Sequence, residues 1–206
     1  MYTPPNNRND DPAELLAFMR RYSFATLVTS CGGLMATHLP VSVSEREGRF
    51  RVTGHLSRAN PQWGNLSLGE ALVVFAEPHG YVSPSNYPEG MWVPTWNYVA
   101  VHAYGAPALI EGREETLAVL REMVAATEPG YGAVFAGYPE EWVDAKLKGI
   151  VAFEMEVTRI ESRWKLSQEK PETTRERIAQ ELSSGDGASR ELAAFMRASL
   201  RKEAAV

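Results

Sequence analysis

Six segments of β-type sequence occupy the middle of this chain, and they do not alternate regularly with helices. Apolar runs and apolar–polar alternation predict strands near 24–30, 34–43, 49–55, 71–76, 96–110 and 150–165. Strands that follow one another through short turns favour an antiparallel barrel over a doubly wound parallel sheet. The expected fold class is therefore mainly β with peripheral helices (α+β), built around a six-stranded antiparallel barrel.

Helices are predicted between and around these strands. Asp11 and Pro12 are typical of a helix start, and the apolar residues that follow predict a helix over about 12–22. Further helices are expected near 61–68, 113–127, 139–148, 172–183 and 188–202. In the last strand the apolar positions shift by one residue, which predicts a β-bulge near Thr158.

The turn after the third strand has the pattern of an anion site. Asn60 and Pro61 are a cap and a first helical residue, so Ser57 and Arg58 lie beside a helix start. Free backbone N–H groups there favour an anion, and an arginine fork matches two phosphate oxygens. An ordinary capped helix beside a surface arginine explains the same pattern, and the residues alone leave both interpretations open.

Charge and composition exclude several classes of protein. The formal net charge is −5 and the pI about 5.5, which disfavours binding to a phosphate backbone. The basic residues of 159–177 alternate with acidic ones, as on a solvated surface. No apolar run reaches membrane-spanning length and the start lacks a secretory pattern, so we expect a cytoplasmic protein without membrane contact. Cys31, the single cysteine, forms no internal disulfide.

Six sequence blocks resemble the FMN-binding split β-barrel proteins, and within them the PaiB-type negative transcriptional regulators. They are Phe24–Thr29, Ala36–Pro40, Gly54–Trp63, Pro78–Ser85, Val93–Gly105 and Lys165–Gln168. The Pro-Thr-Trp-Asn-Tyr and Lys-Leu-Ser-Gln motifs are the most specific. One departure is Ala59, which stands where the related pyridoxamine-phosphate oxidases have a lysine, so one phosphate contact must come from elsewhere.

The resemblance implies a homodimer that holds FMN at the subunit interface. Ser57 and Arg58 would bind the phosphate, while Gly54 and His55 would approach the ring or the ribityl chain. The other residues that the resemblance assigns to the cofactor are Ala36, Thr37, His38, Leu39, Asn60, Gln62, Trp96, Asn97, Lys165, Ser167 and Gln168. We expect a split-barrel domain with its N-terminal helix over 1–170 and a helical extension over 171–206.

Three functional hypotheses stay open at this point. The first is a redox- or flavin-responsive regulator. It would act on DNA or on a regulatory protein partner, and the acidic net charge does not support such a partner. The second is an FMN-dependent oxidoreductase, either a flavin reductase or an enzyme like the pyridoxamine-phosphate oxidases. The third is haem binding or degradation. The four histidines lack the spacing of a metal motif, so no metal site is predicted. An aromatic strand face with Trp96, Tyr98 and Tyr104 on an open-edged barrel needs covering, which predicts a dimer interface.

Overall fold

The chain folds around an antiparallel sheet with helices outside it, as a computed structural model of residues 1–203 describes. The strands are β1 Phe24–Thr29, β2 Met35–Arg46, β3 Arg49–Ser57, β4 Ala71–Val82, β5 Thr95–Gly105, β6 Pro107–Ile110, β7 Ile150–Glu156 and β8 Arg159–Lys165. Their hydrogen-bonded order is β6-β7-β3-β2-β1-β4-β5-β8. The pairs β1–β2, β1–β4, β2–β3, β3–β7 and β6–β7 are antiparallel. The predicted α+β class is confirmed.

The expected number of six strands is wrong, because each of the two long predicted strands is divided. The 96–110 segment breaks at Ala106, next to Gly105, where an added Cβ would lie 2.2 Å from the carbonyl oxygen of Glu156. The 150–165 segment breaks at 157–158, where the apolar positions change phase. There the Val157 N–H donates to the carbonyl of Phe50 and the Thr158 N–H to that of Tyr104, each at 2.9 Å.

The helices lie close to their predicted positions. They are α1 Pro12–Arg21, α2 Arg113–Thr127, α3 Gly132–Ala136, α4 Glu140–Leu147, α5 Glu172–Leu182 and α6 Gly187–Glu203. The predicted helix over 61–68 is a 3₁₀-helix, Pro61–Leu68, and further 3₁₀ turns are Pro5–Asn7, Pro84–Asn86 and Pro129–Tyr131. No helix within residues 1–203 is long and apolar enough to cross a membrane.

Contacts divide the chain into two compact units. One contains Pro12–Phe75 and His102–Ile160, and we call it the first unit. The second unit contains Met1–Asp11, Ala76–Val101 and the described residues from Glu161 onward. This division does not follow the expected boundary at 170, which stays a prediction.

Each unit has its own core. In the first, Val41 and Val43 of β2, Val52 and Leu56 of β3 and Phe153 and Met155 of β7 are buried on one face of the sheet. Burial of such side chains stabilises the fold by about 1.5–3 kcal/mol each. In the second unit, α5 and α6 pack on each other through buried residues that include Ile178, Leu182, Leu192 and Met196. Strand β5 alternates as predicted, with Asn97, Val99, Val101 and Ala103 buried.

Candidate functional site

Arg58, at the end of β3, is bonded to three consecutive carbonyl groups. Its backbone N–H donates to Gly149 at 2.9 Å, its Nε to Lys148 at 3.0 Å and its Nη2 to Ile150 at 2.9 Å. The guanidinium is therefore fixed at the turn between α4 and β7. These bonds use the guanidinium edge that carries Nε. The far edge, which carries Nη1 and the second Nη2 proton, therefore faces away from the carbonyls. Ser57, beside it, is exposed.

Gln62 is fully buried, although the resemblance assigned it to the cofactor. Its Nε2 donates to the Leu27 carbonyl at 3.2 Å, the Met35 carbonyl at 3.1 Å and the Thr29 hydroxyl at 3.3 Å, and its Oε1 accepts from Thr37 at 2.5 Å. These contacts join the 3₁₀-helix to both β1 and β2. Gln62 thus has a structural role whether or not a cofactor lies near it.

Asn60 caps the 3₁₀-helix as the sequence predicts. Its Oδ1 accepts from the backbone N–H of Gln62 at 3.0 Å, and its Nδ2 donates to the hydroxyl of Thr37 at 2.8 Å. Asn60, Gln62 and Thr37 therefore form one network, so three of the predicted site residues are brought together. Nearby, the Trp63 indole N–H donates to the Arg58 carbonyl at 3.0 Å.

The polar face of β3 carries buried atoms without a partner. Because side chains alternate along a strand, Thr53, His55 and Ser57 share this face, and Ser42 of β2 lies directly opposite Thr53. Within the described residues, Ser42 Oγ, Thr53 Oγ1 and His55 Nδ1 are buried and have no hydrogen bond. An unsatisfied buried polar atom is costly, so such a row is typical of a surface that a polar ligand completes. Burial lowers the pKa of His55, which favours the neutral imidazole.

A cavity of about 450 Å³ adjoins this face. Ala152 and Ile150, the cross-strand partners of His55 and Ser57, belong to its wall. Its lining residues are Arg58, Trp63, Leu109, Ile110, Glu111, Arg113, Thr116, Asp144, Leu147, Lys148, Ile150, Val151 and Ala152. A mainly apolar cavity of this size with a few charged groups suits a small organic ligand that carries a polar end.

The donor set fits the phosphate end of FMN. The fixed arginine fork belongs to the cavity wall, and the exposed hydroxyl of Ser57 directly precedes it in the chain. A phosphate monoester accepts charge-assisted hydrogen bonds of this kind.

The residues predicted on β2 divide between two faces. Ala36 and His38 are exposed, and the His38 Nδ1 lies 2.9 Å from the Thr26 hydroxyl, whereas Leu39 is buried. Gly54 of β3 has a packing reason of its own, because a Cβ there would lie 3.2 Å from the ring of Phe153. A close approach of flavin to Gly54 stays a prediction.

The other predicted residues belong to the second unit, and most of them hold that unit together. Asn97 is fully buried, and its Nδ2 donates to the Ser167 hydroxyl at 2.9 Å. The Lys165 ammonium donates to Thr95 Oγ1 at 2.5 Å and to the Trp96 carbonyl. Gln168 Oε1 accepts from the Leu166 N–H at 2.8 Å. Burial lowers the pKa of Lys165. The assignment of these residues to flavin stays a prediction.

An aromatic cluster on the second unit was not predicted. Trp96 is 53% exposed, and its ring centroid lies 5.9 Å from that of His79 and 6.0 Å from that of Tyr81. The Glu77 carboxylate lies 3.5 Å from His79 Nδ1. Alternation along β4 places residues 77, 79 and 81 on one face, and this signal in the sequence identifies the cluster once the strand is known to extend to Val82.

The basic residues of 159–177 form no free patch. Arg175 is 2% exposed and bonds Ser199 at 3.0 Å and Glu203 at 2.5 Å. Arg159 lies over the Tyr104 ring, 3.5 Å from its centroid, and Lys170 lies 4.3 Å from that of Trp92. Most of this charge is therefore engaged within the protein. Among the described residues no group of three or more His, Cys, Asp or Glu side chains is arranged to hold a metal ion.

Comparison with known proteins places these features in a family. A family model described as "Putative FMN-binding domain" matches residues 1–159. Protease synthase and sporulation protein PAI 2 of Bacillus subtilis (strain 168) is 33% identical over an alignment of 208 positions, which covers 98% of this chain and 100% of the relative. An uncharacterized protein of Emericella nidulans is 30% identical over 151 residues, covering 57% of this chain and 60% of that protein.

Solved structures share the fold at low identity. The flavocytochrome Anf3 from Azotobacter vinelandii has a TM-score of 0.60 and 18% identity, over 76% of this chain and 68% of that one. The FAD and heme binding protein from Mycobacterium smegmatis also has a TM-score of 0.60, with 16% identity over 77% of this chain and 73% of that one. The split-barrel-like fold is therefore confirmed.

Proposed function

Because this chain belongs to the FMN-binding domain family whose model matches residues 1–159, we propose that it binds FMN through Ser57 and Arg58 and acts as a flavin-responsive regulator. FMN supplies hydride and one-electron chemistry when it is bound. Ser57 and Arg58 of this chain would bind and orient its phosphate end. The proposal also includes a homodimer with FMN at the subunit interface.

The single observation that carries the proposal is the fixed Arg58 fork. A guanidinium whose near edge is held by two carbonyls loses little conformational freedom when its far edge binds a phosphate. The neighbouring Ser57 hydroxyl accepts only a long bond, 3.3 Å, from the Ala59 N–H and keeps its proton available to a ligand. Ser57 ends the β3 face on which His55 has an unpaired nitrogen, and Arg58 directly follows it.

A pair of flavins tests this site directly. Arg58→Ala should weaken FMN about 10- to 150-fold and leave riboflavin, which has no phosphate, nearly unchanged. Fluorescence titration measures both affinities. Arg49→Ala is the matched control, since Arg49 also lies on β3 but is exposed and paired with Glu156. Equal weakening of FMN and riboflavin, or no change in FMN affinity, would show that the phosphate is not bound at Arg58.

Exposed apolar side chains support the homodimer. In the first unit Phe24 and Leu34 are 71% and 83% exposed, and in the second unit Trp96 is 53% exposed. Large apolar side chains at a surface are typical of an interface. Sedimentation at micromolar concentration should give a dimer. A monomer with FMN bound would contradict both the dimer and the interface position of FMN.

An indirect regulatory role fits the charge better than direct DNA binding. The net charge is −5, and Arg175 and Lys170, within the basic segment, are engaged in intramolecular contacts. Regulation through a change of flavin state and a protein partner needs no basic surface. Gel-shift experiments at low salt should show no promoter binding, whereas salt-dependent binding would contradict the indirect role.

Haem is a second candidate ligand, and the His79 cluster favours it. The Glu77 carboxylate beside Nδ1 favours the tautomer in which Nε2 is the ligating nitrogen. The exposed Trp96 and Tyr81 rings offer apolar stacking surface. A haemin titration should give a shifted Soret band that His79→Ala abolishes and His38→Ala retains. Identical spectra for all three proteins would refute His79 as a ligand.

A further inference from the structure

A single arginine does not neutralise the phosphate that the proposed function places at Arg58. A phosphate monoester carries a charge of about −1.5 to −2 at pH 7, and the Arg58 guanidinium supplies one positive charge. Ala59, the next residue, supplies none. Electrostatic balance at this site therefore calls for a second cation close to Arg58.

Two other cationic residues belong to the wall of the cavity beside Arg58, and one of them is already neutralised. The Arg113 Nε donates to Asp144 at 2.7 Å, its Nη2 to Glu140 at 3.0 Å, and its Nη1 to Glu114. Three carboxylates around one guanidinium more than neutralise its single positive charge, so Arg113 adds no net positive charge for a ligand. Arg113 therefore serves to join α2 to α4.

We propose that Lys148, the second of these cations, supplies the positive charge that completes the phosphate site. The proposal rests on the proposed function. Lys148 is exposed, and within residues 1–203 its ammonium has no ion pair. It is one of the residues that line the cavity.

The position of Lys148 is fixed by Arg58 itself. Its carbonyl accepts from Arg58 Nε at 3.0 Å, and its own N–H donates to the Asp144 carbonyl at 3.1 Å. The backbone of Lys148 thus lies against the Arg58 guanidinium, whose far edge is free. A four-carbon stem with three rotatable donors allows the ammonium to reach an anion held at that edge.

The local dipole does not cancel this charge. Lys148 follows the last residue of α4, where free carbonyls repel anions. Here the carbonyls of Lys148, Gly149 and Ile150 accept hydrogen bonds from Arg58, which reduces that repulsion. Of the two carboxylates in the wall, Asp144 is paired with Arg113, and only Glu111 opposes a bound phosphate.

Lys148→Ala tests the proposal, with Lys146→Ala as the matched control. Lys146 lies two residues earlier, and its ammonium is 5.1 Å from the Trp142 ring centroid, outside the set that lines the cavity. Lys148→Ala should weaken FMN about 3- to 30-fold, with riboflavin unchanged and Lys148→Arg restoring most of the affinity. It should also reduce the loss of FMN affinity on adding salt, because one charge pair is gone.

The outcomes separate this inference from the proposed function. If Arg58→Ala weakens FMN selectively and Lys148→Ala equals Lys146→Ala, the phosphate site stands and the role of Lys148 is refuted. If Lys148→Ala weakens FMN and riboflavin equally, its effect is structural and the inference also fails. If Arg58→Ala has no selective effect, the proposed phosphate site itself is wrong.

Discussion

Replacing Gln62 by leucine separates a structural role from a cofactor role at one residue. Leucine is of similar size and apolar, so the substitution removes the amide without opening a large cavity. Gln62 is 0% exposed, and its amide bonds Leu27, Thr29, Met35 and Thr37. The two threonine hydroxyls and the two carbonyls would each lose a partner, and Leu27 and Thr29 are buried away from water.

The magnitude follows from those partners. If two of the four groups stay unsatisfied, at about 1–3 kcal/mol each, the free energy of unfolding falls by about 2–6 kcal/mol. In a chain of this size, 1 kcal/mol shifts Tm by about 2–4 °C, so Tm should fall by about 4–24 °C. Urea unfolding followed by circular dichroism measures the first quantity, and a thermal scan measures the second.

A control and a second readout make the result decisive. Ser67→Ala changes an exposed residue of the same 3₁₀-helix and should leave Tm unchanged within about 1 °C. FMN and riboflavin affinities of Gln62→Leu are measured well below its Tm. A variant as stable as the wild type that no longer binds FMN would refute the structural reasoning and restore Gln62 as a cofactor residue.

Two further predictions concern β3 and β5. Because burial lowers the pKa of His55 below its ordinary value of 6.5, the unfolded chain binds this proton more tightly. The contribution to stability is present above about pH 6.5 and is lost as the pH falls. Tm should therefore fall between about pH 7.5 and pH 5, and His55→Gln should reduce this dependence of Tm on pH. An unchanged dependence would contradict the prediction. Gly105→Ala places a Cβ against the backbone of Glu156 and should lower the free energy of unfolding by roughly 3 kcal/mol, the upper end of overpacking penalties. The control Gly130→Ala, whose added Cβ has no atom within 4 Å, should leave stability unchanged. Equal stability of the two variants would contradict the clash.

Local patterns predicted most of the secondary structure. Alternation along 96–105 identified the buried positions of β5, and Asn60-Pro61 identified the helix start after β3. The division of the long strands was not predicted, because it depends on contacts distant in sequence. Gly105 contacts Glu156 across the sheet. At Thr158 the backbone pairing moves from β3 to β5, and only the folded chain brings these strands together.

The sequence proposes residues for the candidate site but does not indicate their contacts. A sequence pattern predicts Arg58 as a phosphate ligand, but the carbonyls that fix its guanidinium lie about ninety residues later in the chain. Burial is likewise a property of the whole fold, so polar residues such as Gln62 and Asn97 are predicted as ligands although both are buried among protein partners. Lys148 carries no motif at all, and only the cavity wall identifies it.

The change of partner strand at 157–158 has a consequence for engineering the chain. Because the backbone groups of Val157 and Thr158 pair with Phe50 and Tyr104 respectively, one inserted residue would turn every β8 side chain to the opposite face. Insertions at 157–158 are therefore expected to prevent folding. The short helix Gly132–Ala136 has no buried residue, so a reporter peptide or an epitope tag placed within it should leave the protein folded and the proposed flavin site intact.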